Sequence, residues 1–191
     1  MFITSLFFYS LSEKMIFMHL APKQILHYNR CGDFMAGKTN AVRIIQQAGI
    51  LCQEHFYAFD EHDLNGNHAA EAIQMPPEQV FKTLVARGIK TGINVFCIPV
   101  CCELDLKKAA KAAGDKNMEL IPVKELLPLT GYIRGGCSPV GMKKKYPTFF
   151  DESCILWDSI AVSAGERGHQ MVLPPDDLIK IADATLSDII V

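Results

Sequence analysis

Apolar positions recur along this chain with two different periods, and the changes of period mark a series of short helices and strands. Ala41, Ile44, Ile45 and Ala48 share one helical face behind Thr39, a capping residue, and Gly49 closes that helix. Residues 50–59 are short and rich in aromatics, which predicts a strand, and the polar run 60–67 predicts a loop. A short helix is expected over 68–74, followed by a turn opened by Pro76-Pro77-Glu78. Residues 79–87 and 91–100 read as two strands joined through Gly88, a hairpin. An Ala/Lys-rich helix is expected over 105–113, with Asp105 as its cap and Gly114 at its end. A short strand over 118–121 and a helical turn over 123–127, stopped by Pro128, come next. Strands are expected over 148–150, 159–163 and 169–173, with a turn at 165–168 and a last amphipathic helix from Pro174 through Ile181.

Helices and strands are intermixed, and strand–turn–strand segments recur. The fold class expected is α+β, a single domain over residues 35–191 with a mixed, partly barrel-like sheet flanked by helices. Residues 1–34 are expected to be an extension outside that domain, dispensable or a mis-called start. Their apolar runs are broken by Glu13 and Lys14 and fall short of the roughly 18 apolar residues of a membrane span. No basic stretch precedes them as a secretory leader would require.

Composition narrows the function classes. The net charge of −2 provides no global field for nucleic acid, so any RNA contact must be a local basic patch. Seven cysteines at irregular spacing, with no Cys-x-x-Cys pair, argue against a secreted disulfide framework and for a reducing cytoplasm. Cys97, Cys101 and Cys102 lack a matching second pair for zinc, and the histidines show no ligand spacing. No metal and no cofactor is expected.

Three features carry candidate chemistry. The loop Gly135-Gly136-Cys137-Ser138-Pro139 has adjacent glycines that let backbone N–H groups approach a carbonyl or oxyanion, although an ordinary surface turn has the same composition. Lys82 shares a strand face with Val80 and Leu84. A lysine there has a task if that face is buried, and is merely solvated if Phe81 and Thr83 face the core instead. Lys107, Lys108, Lys143, Lys144 and Lys145 are the candidate RNA-facing cations, or else a solvated surface. Cys137 reads as a small residue supplying its backbone N–H, with a low-pKa nucleophile as the competing reading.

Four segments then appear in a fixed order: Val80-Phe81-Lys82-Thr83-Leu84; Glu103-Leu104-Asp105-Leu106-Lys107-Lys108; Thr130-Gly131-Tyr132 through Gly136-Cys137-Ser138-Pro139-Val140-Gly141; and Val162-Ser163-Ala164-Gly165-Glu166-Arg167-Gly168. From about Gly37 to the C-terminus the chain resembles the YbaK/EbsC family, free-standing relatives of the editing domain inserted in bacterial prolyl-tRNA synthetase. The resemblance implies a trans-acting aminoacyl-tRNA deacylase acting on mischarged tRNA, foremost Cys-tRNA(Pro), by hydrolysis or by cyclisation through the substrate's own thiol. It implies Lys82 and Gly135 as catalytic residues, with Tyr57, Thr83, Gly136, Cys137, Ser138, Pro139 and Gln170 binding substrate. Gln170 stands where the YbaK branch has an aspartate, and an amide cannot serve as a carboxylate base. The partners implied are the acceptor end of aminoacyl-tRNA and a prolyl-tRNA synthetase, with no membrane. The competing readings are a non-catalytic module binding tRNA or synthetase, a deacylase for another small amino acid such as alanine, and a thiol enzyme centred on Cys137.

Overall fold

The computed structural model describes residues 38–61 and 65–191, so the expected extension over 1–34 lies outside the described residues. In chain order the elements are α1 (Asn40–Gln47), β1 (Gln53–Phe56), α2 (Gly66–Ile73), β2 (Phe81–Gly88), β3 (Gly92–Pro99), α3 (Leu106–Ala112), β4 (Met118–Leu120), α4 (Val123–Thr130), β5 (Thr148–Asp151), β6 (Ile160–Ser163), β7 (His169–Leu173), α5 (Pro175–Ala182) and β8 (Ala184–Ser187). The class is α+β, as the patterning predicts.

The strands form two sheets, β1-β7-β6 and β4-β2-β3-β5-β8. The first is antiparallel throughout. The second is mixed: β2 pairs antiparallel with β3 and β4, while β5 runs parallel to both β3 and β8. A parallel bridge between Val80 and Ala161 joins the sheets, and no closed barrel forms among the described residues.

Strand alternation explains how the larger sheet buries both faces. Phe81, Val85, Val95, Cys97 and Phe150 point into a core shared with α1, β6, β7 and α5. Ala86, Phe96, Ile98 and Phe149 point the other way, onto Ala109 and Ala110 of α3 and onto Ile189. β3 is therefore a continuous buried run, as expected of a central strand covered on both sides. Each large side chain buried in these cores contributes about 1.5–3 kcal/mol.

The β2–β3 hairpin closes through the Gly88–Gly92 pair. Asp115 holds its turn, accepting from the N–H groups of Lys90 at 2.8 Å and Thr91 at 2.7 Å. A Cβ on Gly88 would stand 2.3 Å from the Asp115 carboxylate, so this position takes glycine because of close approach.

Two expectations are corrected. Pro128 does not stop the helix before it: α4 continues to Thr130. The ring removes one donor, but the Gly131 N–H reaches the Leu127 carbonyl at 3.0 Å, and the Thr130 hydroxyl donates to the Leu126 carbonyl at 2.8 Å. The expected strands also stop one short: α5 is the last helix as expected, but β8 follows it and pairs with β5. It is a short, half-exposed edge strand with no strong alternation of its own.

Candidate active site

Strand β4 covers β2 only at Ala86, Arg87 and Gly88. Among the described residues the edge ahead of it has no strand neighbour on that side, and a cavity of about 680 Å³ runs along it. Consecutive residues Phe81, Lys82, Thr83, Leu84 and Val85 therefore all line the cavity, which their alternation onto two sheet faces would otherwise forbid.

Lys82 is opposite Ile98 and shares its side of the sheet with Leu84 and Ala86, while Phe81 faces the first core. Both faces are covered, and neither simple alternative from the pattern holds. The Lys82 Nζ donates to the Val100 carbonyl at 3.1 Å. An ammonium has three donors, so two remain for the cavity. Val100 is itself tightly placed: its N–H bonds Val80, and a Cβ on Gly66, at the start of α2, would lie 2.5 Å from its side chain.

The glycine-rich loop forms the opposite wall through Gly135 and Cys137. Gly135 has φ +85°, a backbone conformation that glycine adopts without penalty. The two glycines do different things. The Gly136 N–H is spent on the Ile133 carbonyl at 3.0 Å. A Cβ on Gly136 would meet Glu166 backbone atoms at 2.9 Å, so this residue seats the loop against the β6–β7 turn. Ser138 is fully buried and its Oγ accepts from the Val140 N–H. Gly136, Ser138 and Pro139 thus lie behind the wall as its support. The N–H groups of Gly135 and Cys137 have no protein acceptor among the described residues. Burial pushes the Cys137 thiol up to about 12, against a hydrogen bond from Thr130 that pulls it down. Burial therefore favours the neutral thiol and weighs against a low-pKa nucleophile here.

Tyr57 and Gln170 complete the wall as a bonded pair, the Gln170 Nε2 donating to the Tyr57 hydroxyl at 3.2 Å. Burial raises the Tyr57 pKa, and the Gln170 bond opposes that shift. Gln170 is 6 % exposed and its Oε1 has no partner among the described residues. A buried acceptor without a donor is costly, so it marks a place where a ligand donor fits.

The turn behind the loop is anchored from three sides. His169 is 3 % exposed and has Glu166 on Nδ1 at 2.8 Å and Glu54 on Nε2 at 3.0 Å. Its ring stacks on Phe56 with centroids 4.0 Å apart. Arg167 bonds the Arg134 carbonyl and Glu61.

The candidate RNA lysines are elsewhere. None lines the cavity. Lys108 is committed to Asp188 and the Ile190 carbonyl, both at 2.8 Å, and the Asp188 bond raises its pKa. Lys143 donates to the Leu127 carbonyl, and Lys145 lies 3.9 Å from Asp183, both groups highly exposed. Lys107 and Lys144 are exposed. The cationic side chains that do line the cavity beside Lys82 are Arg134 and Arg167, with His68 and Ser163 nearby. The sequence reading did not single these four out, although Arg134 adjoins the glycine pair and Arg167 and Ser163 lie in one of the four ordered segments.

Among the described residues, no cluster of His, Cys, Asp and Glu is arranged to hold a metal ion, and no helix is long and apolar enough to cross a membrane.

Comparison with known proteins identifies relatives of this chain. Residues 66–181 match the model of the aminoacyl-tRNA editing domain. A relative from Enterococcus faecalis, named as a candidate Cys-tRNA(Pro)/Cys-tRNA(Cys) deacylase, EbsC, is 43 % identical over 152 residues, which are 80 % of this chain and 93 % of that one. The fold matches a crystal structure described as a candidate trans-editing enzyme for prolyl tRNA synthetase, with TM-score 0.67 and 24 % identity over 80 % of this chain and 98 % of the other. It also matches a solved hypothetical protein, with TM-score 0.73 and 19 % identity over 80 % and 100 % of the two chains. On the span of the domain match and the identity to its relative, the chain belongs to the aminoacyl-tRNA editing domain family.

Proposed function

We propose that this protein is a trans-acting deacylase that clears mischarged tRNA in the cytoplasm, with Cys-tRNA(Pro) as its foremost substrate. The observation that carries the reading is one cavity with Lys82, the Gly135 and Cys137 N–H groups and the open Gln170 acceptor on its walls. Its volume suits an aminoacyl group with part of the terminal nucleoside.

The chemistry asks little of the protein. An aminoacyl ester is already activated, and the site need only orient it and stabilise the oxyanion that develops at the carbonyl. Lys82 and the two N–H groups are the donors for that task. Among the described residues lining the cavity there is no carboxylate, and His68 is the one imidazole there. A cysteinyl substrate supplies its own nucleophile: the thiol sulfur bonds to the ester carbon, the ester C–O bond breaks, and the thiol proton ends on the ribose oxygen. The products are a thiolactone and free tRNA. The Gln170 Oε1 accepts a hydrogen from the substrate's ammonium or thiol.

The substrate's acceptor end meets Arg134 at the cavity, while Lys107, Lys108 and Lys143–Lys145 are at most peripheral to it. With so few cations at the site, a prolyl-tRNA synthetase that presents the tRNA is the expected partner.

The test is release of amino acid from proline tRNA charged with Cys, Ala, Ser or Pro, with and without the synthetase. Release from Cys-tRNA(Pro), reduced on the order of a hundredfold in Lys82→Ala, is the expected result. No release from any of the four, with the synthetase present, would overturn the reading.

A further inference from the structure

We propose that Cys101 and Cys102 form an oxidant-responsive dithiol beside Lys82, closed to a disulfide by a peroxide and reopened by a small thiol. The two sulfurs are 3.8 Å apart in the turn that follows β3. Cys101 is exposed and Cys102 half-buried, so an oxidant in solution reaches the pair. The remaining described thiols are poorer targets. Cys97, Cys137 and Cys154 are buried and their pKa values are pushed up by burial. Burial raises the half-buried Cys52 and Cys102 thiols alike, so what sets the pair apart is its geometry, two sulfurs within 3.8 Å of each other.

Adjacent Cα atoms are about 3.8 Å apart, closer than the usual 4.4–6.8 Å across a disulfide. A ring closed between neighbours is therefore strained, and strained, exposed disulfides are the readily reduced ones. This pair suits a reversible change rather than a permanent staple.

The location links it to the site. Cys101 directly follows Val100, whose carbonyl holds the Lys82 Nζ at 3.1 Å. Upstream, Val100 is fixed by Val80 and packed against Gly66. Downstream, the Glu103 carbonyl accepts from Val191 and Leu104 bridges Ile190. With both ends held, closing the ring is taken up within the turn: at the Cys101–Cys102 peptide inside the ring, at the Val100–Cys101 peptide and at the Cys102 N–H bond to Pro99. The carbonyl that aims Lys82 moves as a result.

The step balances with peroxide as the oxidant. The Cys101 sulfur attacks the peroxide O–O bond, giving a sulfenic acid and one water. The Cys102 sulfur then displaces the sulfenic hydroxyl as a second water, taking up the thiol proton. Two electrons leave the sulfurs and reduce one peroxide.

The consequence for activity rests on the role proposed for Lys82, so the test has readouts independent of it. The full-length protein is treated with hydrogen peroxide, its remaining thiols are alkylated, and peptides are mapped by mass. A 101–102 link lacking two hydrogens, reversed by dithiothreitol, is expected. Labelling of the Lys82 amine by an acylating reagent should change rate on oxidation and return on reduction. Deacylation should fall roughly tenfold, as expected for a misplaced catalytic group, and recover. Cys101→Ser and Cys102→Ser should keep basal activity and ignore peroxide. Absence of the link, or a link that leaves Lys82 labelling unchanged, would overturn the proposal. Equal peroxide inactivation of the double serine variant would do so as well. A protein that forms the link and shifts Lys82 labelling but never deacylates would refute the proposed function alone.

Discussion

The Arg167 Nε donates to the backbone carbonyl of Arg134 at 3.0 Å, tying the β6–β7 turn to the residue just before Gly135. The same guanidinium reaches Glu61 at 2.8 Å, so one side chain spans three segments around the cavity. Its side chain is 22 % exposed, which limits screening. On the proposed function Arg167 is a positioning residue, its bond to the Arg134 carbonyl fixing the chain just ahead of the Gly135 and Cys137 N–H groups. Arg167→Ala should lower kcat on the order of tenfold to a hundredfold while KM changes little, because the loss is in alignment of the reacting ester. Arg167→Lys should not restore kcat, since an ammonium cannot direct two donors in a planar fork. A rise in KM at constant kcat would assign Arg167 to substrate binding instead.

Gln170 makes a prediction in which stability and activity part. Its Oε1 is buried without a donor in the unliganded protein, a cost of about 1–3 kcal/mol for such a group. Gln170→Leu removes that acceptor along with the Tyr57 bond, and the Tyr57 hydroxyl then borders the cavity. Thermal unfolding should therefore show a Tm unchanged or raised. Deacylation should show kcat/KM reduced about tenfold or more, from the lost substrate contact. A variant that loses several degrees of Tm yet deacylates normally would make Gln170 a structural residue.

Much of the fold was legible in the sequence, and the reasons are local. Thr39 caps α1, accepting from Val42, and Asp105 caps α3, accepting from Lys107 and Lys108, because those side chains act on the next turn. The β2–β3 hairpin was readable from its alternation and from Gly88. What was not legible depends on bonding partners that periodicity does not show. β8 exists because β5 offers an edge, and α4 passes Pro128 because Thr130 and Gly131 supply bonds beyond it. The site divides the same way. Family motifs located Lys82, Tyr57, Gln170 and the glycine loop. They could not show that Gly136 serves packing against Glu166, or that Lys108 is spent on Asp188 and the Ile190 carbonyl. Arg134 and Arg167 gain meaning only when two loops meet.

The Cys137 thiol separates thiol catalysis from catalysis by backbone donors. Its pKa of about 12 leaves it protonated across the range where an ordinary thiol would ionise. Cys137→Ala keeps the N–H and removes the sulfur. Turnover should stay within a few-fold, at a stability cost of about 1 kcal/mol for the small void left in the core. The pH profile should be the same in the two proteins, because a rise in the ordinary-thiol range belongs to the cysteinyl substrate and not to Cys137. Loss of all turnover in Cys137→Ala, with the fold intact by circular dichroism, would restore the thiol-enzyme reading.

Asp115 gives a pH dependence with a definite sign. Its Oδ2 accepts from the N–H groups of Lys90 and Thr91 and from the Thr91 hydroxyl, and its Oδ1 from Lys116. These bonds, the Thr91 N–H foremost, hold its carboxyl well below the ordinary carboxylate range. A folded-state pKa below the unfolded value means that the unfolded chain binds the proton first as pH falls. The contribution is full above the unfolded pKa near 3.8 and disappears as pH drops through the depressed folded value. Asp115→Asn keeps one acceptor oxygen but turns an NH2 toward a backbone donor, so it loses part of the turn at every pH. Equilibrium unfolding should show a lower stability at neutral pH and a shallower acid limb in the variant, the two curves converging at the most acid pH. Parallel acid limbs in the two proteins would show that Asp115 is not the group titrating there.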